Sequence, residues 1–271
     1  MVLPEVFCLI TNMKDAFSVR GKNVLVTGGN RGVGLGIVRA FAQSGANVAI
    51  MARDEKASQK VLTDISIYDG KYLFFKGDVV KKEDCERVTN SVKKEFNSLD
   101  ILVNNAGICR HKRTLDMGPD FKDWYEVIDV NLNGYFLMSY YAAEIMKAQG
   151  GGSIINISSI AAQAVLLPQW QCSYNASKAA INHLVESLAL EWAPYNIRVN
   201  AVSPGYTETE MLDIEKNERS TAWYNSWKKA CPTGRFLTPI EVGALCVYLG
   251  SEAADYCRGS VFPIDGGYLL P

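Results

Sequence analysis

Histidine is nearly absent: His111 and His183 are the only two in 271 residues, and they lie far apart. The seven cysteines (Cys8, Cys85, Cys109, Cys172, Cys231, Cys246, Cys257) are scattered, odd in number and never spaced as Cys-x-x-Cys. Zinc sites draw on clustered soft ligands, and secreted scaffolds on an even, paired set. This usage therefore speaks against a metal and for reduced thiols in a cytoplasmic protein. No apolar run reaches the roughly 18 residues needed to span a bilayer. The stretch Val2–Ile10 is apolar but contains Pro4 and Glu5 and lacks the basic start of a secretory leader, so residues 1–20 read as a short extension. An excess of charge is missing too. With 28 basic and 29 acidic residues the net charge is −1, which gives no electrostatic case for nucleic acid or a membrane as partner.

What is present is a regular alternation. Hydrophobic residues make up 48% and charged residues 21%, the balance of a folded globular chain. Short apolar runs predict strands at Asn23–Thr27, Asn47–Met51, Tyr72–Lys76, Asp100–Val103, Ser153–Ile157, Ile197–Val202 and Ser260–Ile264. Amphipathic stretches between them predict helices over about 32–44, 54–67, 81–96, 120–148 and 173–192. Doubly buried strands alternating with helices of ten or more residues indicate βαβ units. The expected fold is α/β: a Rossmann-type, doubly wound parallel sheet in a three-layer α/β/α arrangement, a single domain over 21–271. Residues 205–232 follow a strand's carboxyl end, lack a strand of their own, and read as a lid over the substrate.

Three motifs carry chemistry. The first is the turn Thr27-Gly28-Gly29-Asn30-Arg31-Gly32-Val33-Gly34, between a strand and a helix. Its glycines permit a sharp turn and a close approach of backbone to a pyrophosphate, and the helix start offers free N–H groups. At the end of the second strand, Ala52-Arg53 stands where an NAD enzyme usually has an acidic residue. Arg53 and Arg31 together suit the 2′-phosphate of NADP(H), although neighbouring Asp54 leaves NAD(H) open as the less favoured cofactor. The third is Tyr174-x-x-x-Lys178. Four residues apart on a helix, the two share a face, and an ammonium near a phenol stabilises the phenolate. Taken alone, each motif also fits a turn without ligand or an ordinary surface helix.

In their order and spacing these motifs resemble the short-chain dehydrogenase/reductase family from about Gly21 to Gly267. Thr27–Gly34, Asn104-Asn105-Ala106-Gly107 and Tyr174–Lys178 carry the likeness, with Asp78, Asn131, Ser158-Ser159 and Pro204-Gly205 in support. The resemblance implies an enzyme that exchanges a hydride between a nicotinamide and a carbonyl or alcohol carbon. It makes Tyr174 the acid–base, Lys178 the group that tunes it and holds the cofactor's ribose, and Ser159 the substrate's hydrogen-bond donor, ahead of Ser158. Asn131 holds a relay water. Cofactor contacts are implied at Gly28, Asn30, Arg31, Gly32, Val33, Gly34, Ala52, Arg53, Asp78, Val79, Asn105, Ala106, Gly107, Pro204, Gly205 and Thr207, besides Tyr174 and Lys178. A homotetramer is implied, with a dimer second, and the apolar tail Tyr268–Pro271 fits burial by a neighbour.

The segment from Pro168 to Trp192 is most similar to sorbose reductase and mannitol 2-dehydrogenase members, which implies a ketose–polyol pair. Gln163, Gln169, Glu208, Trp223 and Tyr224 are candidates to contact hydroxyls. Leu166-Leu167 and the aromatics suit a 3-oxoacyl thioester or a bulky ketone as an alternative. A catalytically inactive nucleotide-binding scaffold is a third reading. Ser159 precedes Tyr174 by 15 residues, a longer spacing than the resemblance leads one to expect, and the extra chain lies over the pocket. Arg110–Arg113 reads as a solvated basic loop and His183 as a packing residue.

Overall fold

The computed structural model describes residues 12–209 and 218–270. Val2–Ile10, residues 210–217 of the expected lid, and Pro271 lie outside the described residues. Seven strands form one sheet: β1 (Asn23–Thr27), β2 (Asn47–Ala52), β3 (Tyr72–Lys76), β4 (Ile101–Asn104), β5 (Gly152–Ile157), β6 (Ile197–Pro204) and β7 (Val261–Ile264). Every neighbouring pair is parallel, in the order β3-β2-β1-β4-β5-β6-β7. All seven expected strands are present, and the chain is a single α/β domain of the doubly wound type.

The helices are α1 (Met13–Ala16), α2 (Gly32–Gln43), α3 (Glu55–Ile65), α4 (Lys82–Phe96), α5 (Lys122–Ile128), α6 (Gly134–Gln149), α7 (Cys172–Trp192), α8 (Glu218–Ala230) and α9 (Pro239–Gly250). Strand side chains alternate faces, so one sheet builds two cores. Leu25, Leu102 and Ile154 point to one side, with Val88, Met138 and Ile181. Val24, Val26, Ile101 and Ile155 point to the other, with Ile37, Phe41 and Leu249. A third cluster gathers Ile160, Leu166, Tyr206, Trp227 and Phe236 beside the carboxyl ends of the strands.

Two elements depart from the expected pattern. The helix expected over 120–148 is α5 and α6 joined by a π turn at Asp129–Asn133, with Asn131 buried inside it. Helix α9, which the strand pattern does not predict, carries its own start signal. Glu241 accepts from the Thr238 amide at 2.8 Å and its hydroxyl at 2.7 Å, and Pro239 opens the first turn. It packs against α2 through glycines: a Cβ on Gly36 would lie 2.2 Å from the Pro239 carbonyl carbon, and one on Gly243 2.6 Å from the Ala40 Cβ.

Two surface expectations are corrected, and the tail packs in part on its own chain. His183 is not packed but exposed, 2.9 Å from Glu186. Arg110 and Lys112 are not freely solvated; they pair at 3.0 Å with Glu126 and Asp123. In the tail, Tyr268 packs edge-on against Tyr206 and Leu269 joins the third cluster of the same chain, leaving Leu270 exposed.

Candidate active site

The strand order reverses between β1 and β4, where ligands enter sheets of this type. There the carboxyl ends open into a cavity of about 1030 Å³. Its rim begins with the glycine turn. Gly28 adopts φ +65°, and a Cβ there would lie 3.0 Å from the Ala106 Cα. Gly32, at φ +51°, would meet nothing closer than 3.7 Å. Helix α2 starts here with no side-chain cap on its first N–H groups. A twelve-residue helix that presents uncapped N–H groups to a cavity fits a pyrophosphate.

The turn is stapled to the next loop. The Thr27 hydroxyl accepts from the amides of Asn105 at 2.9 Å and Ala106 at 3.1 Å. Asn105 Nδ2 returns bonds to the carbonyls of Thr27 at 2.9 Å and Gly28 at 3.1 Å. Asn104 faces away, bonding Asn156 at 2.8 Å and Ser139 at 2.9 Å.

At the far end of the cavity, Arg31, Ala52, Arg53, Asp78 and Val79 line the wall. Arg53 is mostly exposed, and its nearest carboxylate, Asp78, lies 3.8 Å away. Asp54 accepts from the Ala57 amide at 3.0 Å and so caps α3. One of its oxygens is thus committed to the helix while both guanidiniums stand open to the cavity.

At the near end, α7 and the end of β5 bring Ser159, Tyr174 and Lys178 together. The Tyr174 phenol is hydrogen-bonded to Ser159, whose Oγ also accepts from the Ala161 amide at 3.1 Å. Ser158 is turned away and donates to Asn182 at 2.6 Å. The Lys178 ammonium is buried and donates to the Ile157 carbonyl at 2.6 Å and the Tyr135 hydroxyl at 3.2 Å. Tyr174 keeps part of its surface open to the cavity, yet its surroundings strip it of most water, and burial raises its pKa above 10. Burial likewise lowers Lys178 to about 7.

Asn131 does not line the cavity. Its side chain accepts from the Ile108 amide and donates to the Ile108 carbonyl, both at 2.9 Å, and donates to Ser177 at 3.1 Å. It fixes the loop after β4 to α7, directly behind Gly107. Every other catalytic or cofactor-contacting residue expected, from Gly28 to Thr207, lies on the cavity wall.

The family described as enoyl-(acyl carrier protein) reductase matches residues 28–269. Sorbose reductase of Candida albicans is 36% identical over 97% of this chain and 92% of its own. The chain belongs to the short-chain dehydrogenase/reductase family. A probable NADP-dependent mannitol dehydrogenase of Yarrowia lipolytica is 35% identical over 96% of this chain and 92% of its own. Among solved structures, a short-chain dehydrogenase/reductase of Mycobacterium marinum superposes with a TM-score of 0.90 at 37% identity, covering 96% of this chain and 100% of the other. Members of the same family at similar identity differ in activity. A 3-oxoacyl-[acyl-carrier-protein] reductase of Chlamydia pneumoniae is 37% identical over 91% of this chain and 96% of its own. An NAD-dependent glycerol dehydrogenase of Listeria innocua is 36% identical over 94% and 96%.

The cavity wall of this oxidoreductase also includes residues outside its motifs. Cys109 faces it; its thiol lies 3.5 Å from Gln171 Oε1 and burial pushes it up to about 12. His111 lies at the mouth, hydrogen-bonded to Gln171, with desolvation lowering its pKa. Of the five hydroxyl-contact candidates, only Gln169 lines this cavity, and its amide is already engaged: Nε2 donates to Tyr206 at 3.1 Å, and Oε1 accepts from Trp227 at 3.0 Å. Gln163 and Glu208 face solvent, and Tyr224 packs edge-on against Phe236. Leu166 is buried against the cavity, whereas Leu167 is exposed.

Proposed function

We propose that this oxidoreductase is NADP(H)-dependent and interconverts a ketose and a polyol, with Tyr174 as acid–base. The observation that carries the reading is the hydrogen-bonded pair Ser159–Tyr174 on the wall of a large cavity, with the buried Lys178 ammonium beside it. The nicotinamide, when bound, supplies or accepts the hydride. Ser159 holds the substrate oxygen, and Tyr174 gives it a proton during reduction and takes one back during oxidation. Lys178 lends positive charge to the phenolate once Tyr174 has lost its proton. Asn131 acts behind this group by fixing the loop at Ile108 and holding the water that resupplies the proton.

Arg31 and Arg53 suit a 2′-phosphate, and Asp54, spent on its helix cap, leaves little to favour an unphosphorylated ribose. The uncapped start of α2 takes the pyrophosphate. Relatives named for sorbose and mannitol support the polyol assignment. A 3-oxoacyl thioester or bulky ketone is the second reading, favoured by the apolar wall of Leu166, Tyr206 and Trp227. A scaffold without turnover has no use for a proton donor placed against the cavity. Residues 205–232 serve as the lid. The chain acts in the cytoplasm as a homotetramer, for which exposed Phe136 and Tyr140 on α6 and Leu190 on α7 provide apolar surface. A monomer by light scattering would contradict the tetramer.

The test follows loss of reduced nicotinamide absorbance with NADPH and NADH in parallel, across ketoses, simple ketones and an acetoacetyl thioester. Ketose turnover that prefers NADPH, and falls by roughly 10²–10⁴-fold in Tyr174→Phe with cofactor binding retained, is the expected result. Activity confined to the thioester overturns the sugar assignment. Full activity in Tyr174→Phe overturns the mechanism. Arg53→Ala and Arg31→Ala each raise the KM for NADPH by about 10–100-fold, the range of a charge-assisted hydrogen bond, and leave NADH unaffected.

A further inference from the structure

A second cavity of about 380 Å³ adjoins the first, itself within the roughly 300–1,000 Å³ range of ligand pockets. Its walls are His111, Lys112, Arg113, Asp116, Trp170 and Trp223. His111 belongs to both cavities. Its ring meets Trp223 edge-on at 6.2 Å, and Trp223 leans at 6.0 Å on Trp227, which lines the main cavity. One imidazole and two indoles therefore line the boundary at which the annex meets the main cavity, with His111 common to both.

The chain builds this annex from two loops that it zips together. The Lys112 amide donates to the Trp170 carbonyl at 2.8 Å, and Lys112 pairs with Gln171 in an isolated parallel bridge. Trp170 stands in the long segment between Ser159 and Tyr174, so that added chain forms a wall here.

The chemistry of the lining narrows the occupant. Lys112 is neutralised by Asp123 at 3.0 Å. Arg113 lies over the Trp170 ring at 5.5 Å, and among the described residues neither Arg113 nor Asp116 has an ion-pair partner. One guanidinium and one carboxylate leave the annex without net charge, which gives no preference for an anionic group. An acyl chain would strip water from both and return no hydrogen bond. A neutral polyhydroxylated chain satisfies both groups through its hydroxyls and lays its C–H faces on the indoles.

We infer that the annex binds the distal hydroxylated end of the substrate and sets the preferred chain length, with His111 as the contact at the junction. The inference rests on the ketose–polyol reading. It is tested by kcat/KM for the six-carbon ketoses L-sorbose and D-fructose against three-carbon dihydroxyacetone, in the wild type and in Trp170→Ala and Asp116→Ala. Trp170 and Asp116 are exposed and line the annex alone, so these changes leave the fold intact, which thermal melting checks. The expected result is a fall of about tenfold or more for the six-carbon ketoses, expressed in KM, with dihydroxyacetone unchanged. Equal losses on both lengths, no loss on either, or a wild-type preference for a phosphorylated ketose overturns the annex as a neutral-chain site while leaving the enzyme a ketose reductase. A wild type that reduces no ketose at all overturns the parent reading instead.

Discussion

The Lys178 ammonium donates to the Tyr135 hydroxyl at 3.2 Å and stands 5.6 Å from the ring centroid of Tyr174. Tyr135 donates in turn to the Ile157 carbonyl at 3.1 Å, the same oxygen that Lys178 binds at 2.6 Å. The lysine is thus held by a triangle at the end of β5, buried except where it borders the cavity. Its charge is maintained by two neutral oxygens against a desolvation cost large enough to bring its pKa to about 7.

Tyr135 is accordingly a positioning residue, and Tyr135→Phe tests it. The substitution removes one acceptor from the ammonium and so lowers the pKa of Lys178 further. A hydrogen bond to a charged group is worth about 1.5–3 kcal/mol, or about one to two pH units. The reduction proposed here uses the ammonium form. The alkaline limb of kcat/KM should therefore move to lower pH by about one unit, with near-normal rates retained on the acid side. A uniform loss at every pH would assign Tyr135 to packing alone.

The same burial makes a stability prediction for the apoenzyme. Lys178 has a folded-state pKa of about 7 against an ordinary 10.5. Between those values the unfolded chain holds more of the proton, so this group opposes folding increasingly as pH falls from 10.5 towards 7, and fully below that. Lys178→Met removes the penalty, and Tyr135 still supplies Ile157 with a donor. The variant should be inactive yet melt several degrees higher at pH 7, at about 2–4 °C per kcal/mol for a chain of this size. The gain should shrink on approaching pH 10. A melting temperature that falls at pH 7 would show that the ammonium's hydrogen bonds outweigh its desolvation.

Gln169 offers a third test. Its amide ties Tyr206, beyond β6, to Trp227 on α8, whose rings also stack at 4.9 Å. Gln169→Leu leaves the indole N–H unpaired in a buried cluster, at a cost of about 1–3 kcal/mol where water does not enter, and removes one of the phenol's two partners, leaving it Tyr268. Loosening α8 over the cavity should raise KM severalfold while kcat changes little, because Gln169 touches none of the groups that transfer a proton. A fall in kcat at unchanged KM would place Gln169 in the chemistry instead.

The sheet was legible in the sequence because each strand is short, apolar and bounded, and each parallel crossover carries its own amphipathic helix. Gly28, Arg53, Tyr174 and their companions were legible because local motifs fix them against the ends of particular strands. Tyr135 was not. Along α6 it occupies an ordinary core position, and its partner Lys178, 43 residues away, reaches it only through the packing of α7 on the π turn. His111 was hidden inside a basic run of which Arg110 and Lys112 pair with Glu126 and Asp123, on a helix that charge patterning alone does not bring near. The role of Gln169 depends on two aromatic residues from separate segments beyond β6, a juxtaposition with no local signature.

The contact of α9 with α2 depends on Gly36, where a Cβ would lie 2.2–2.4 Å from the Pro239 carbonyl carbon, its oxygen and its ring. These are backbone and ring atoms that cannot rotate aside, so Gly36→Ala must push the helices apart, although alanine is the better helix former. Such overpacking typically costs about 1–3 kcal/mol, and the propensity gain offsets roughly 1 of it. Because α2 also presents its N-terminus at the glycine turn, its displacement should weaken cofactor binding as well as lower the melting temperature. Gly36→Ala should therefore show a reduced melting temperature that saturating NADPH only partly restores. A variant as stable as the wild type, with unchanged NADPH affinity, would mean that α9 yields freely and that the α2–α9 contact does not position the site.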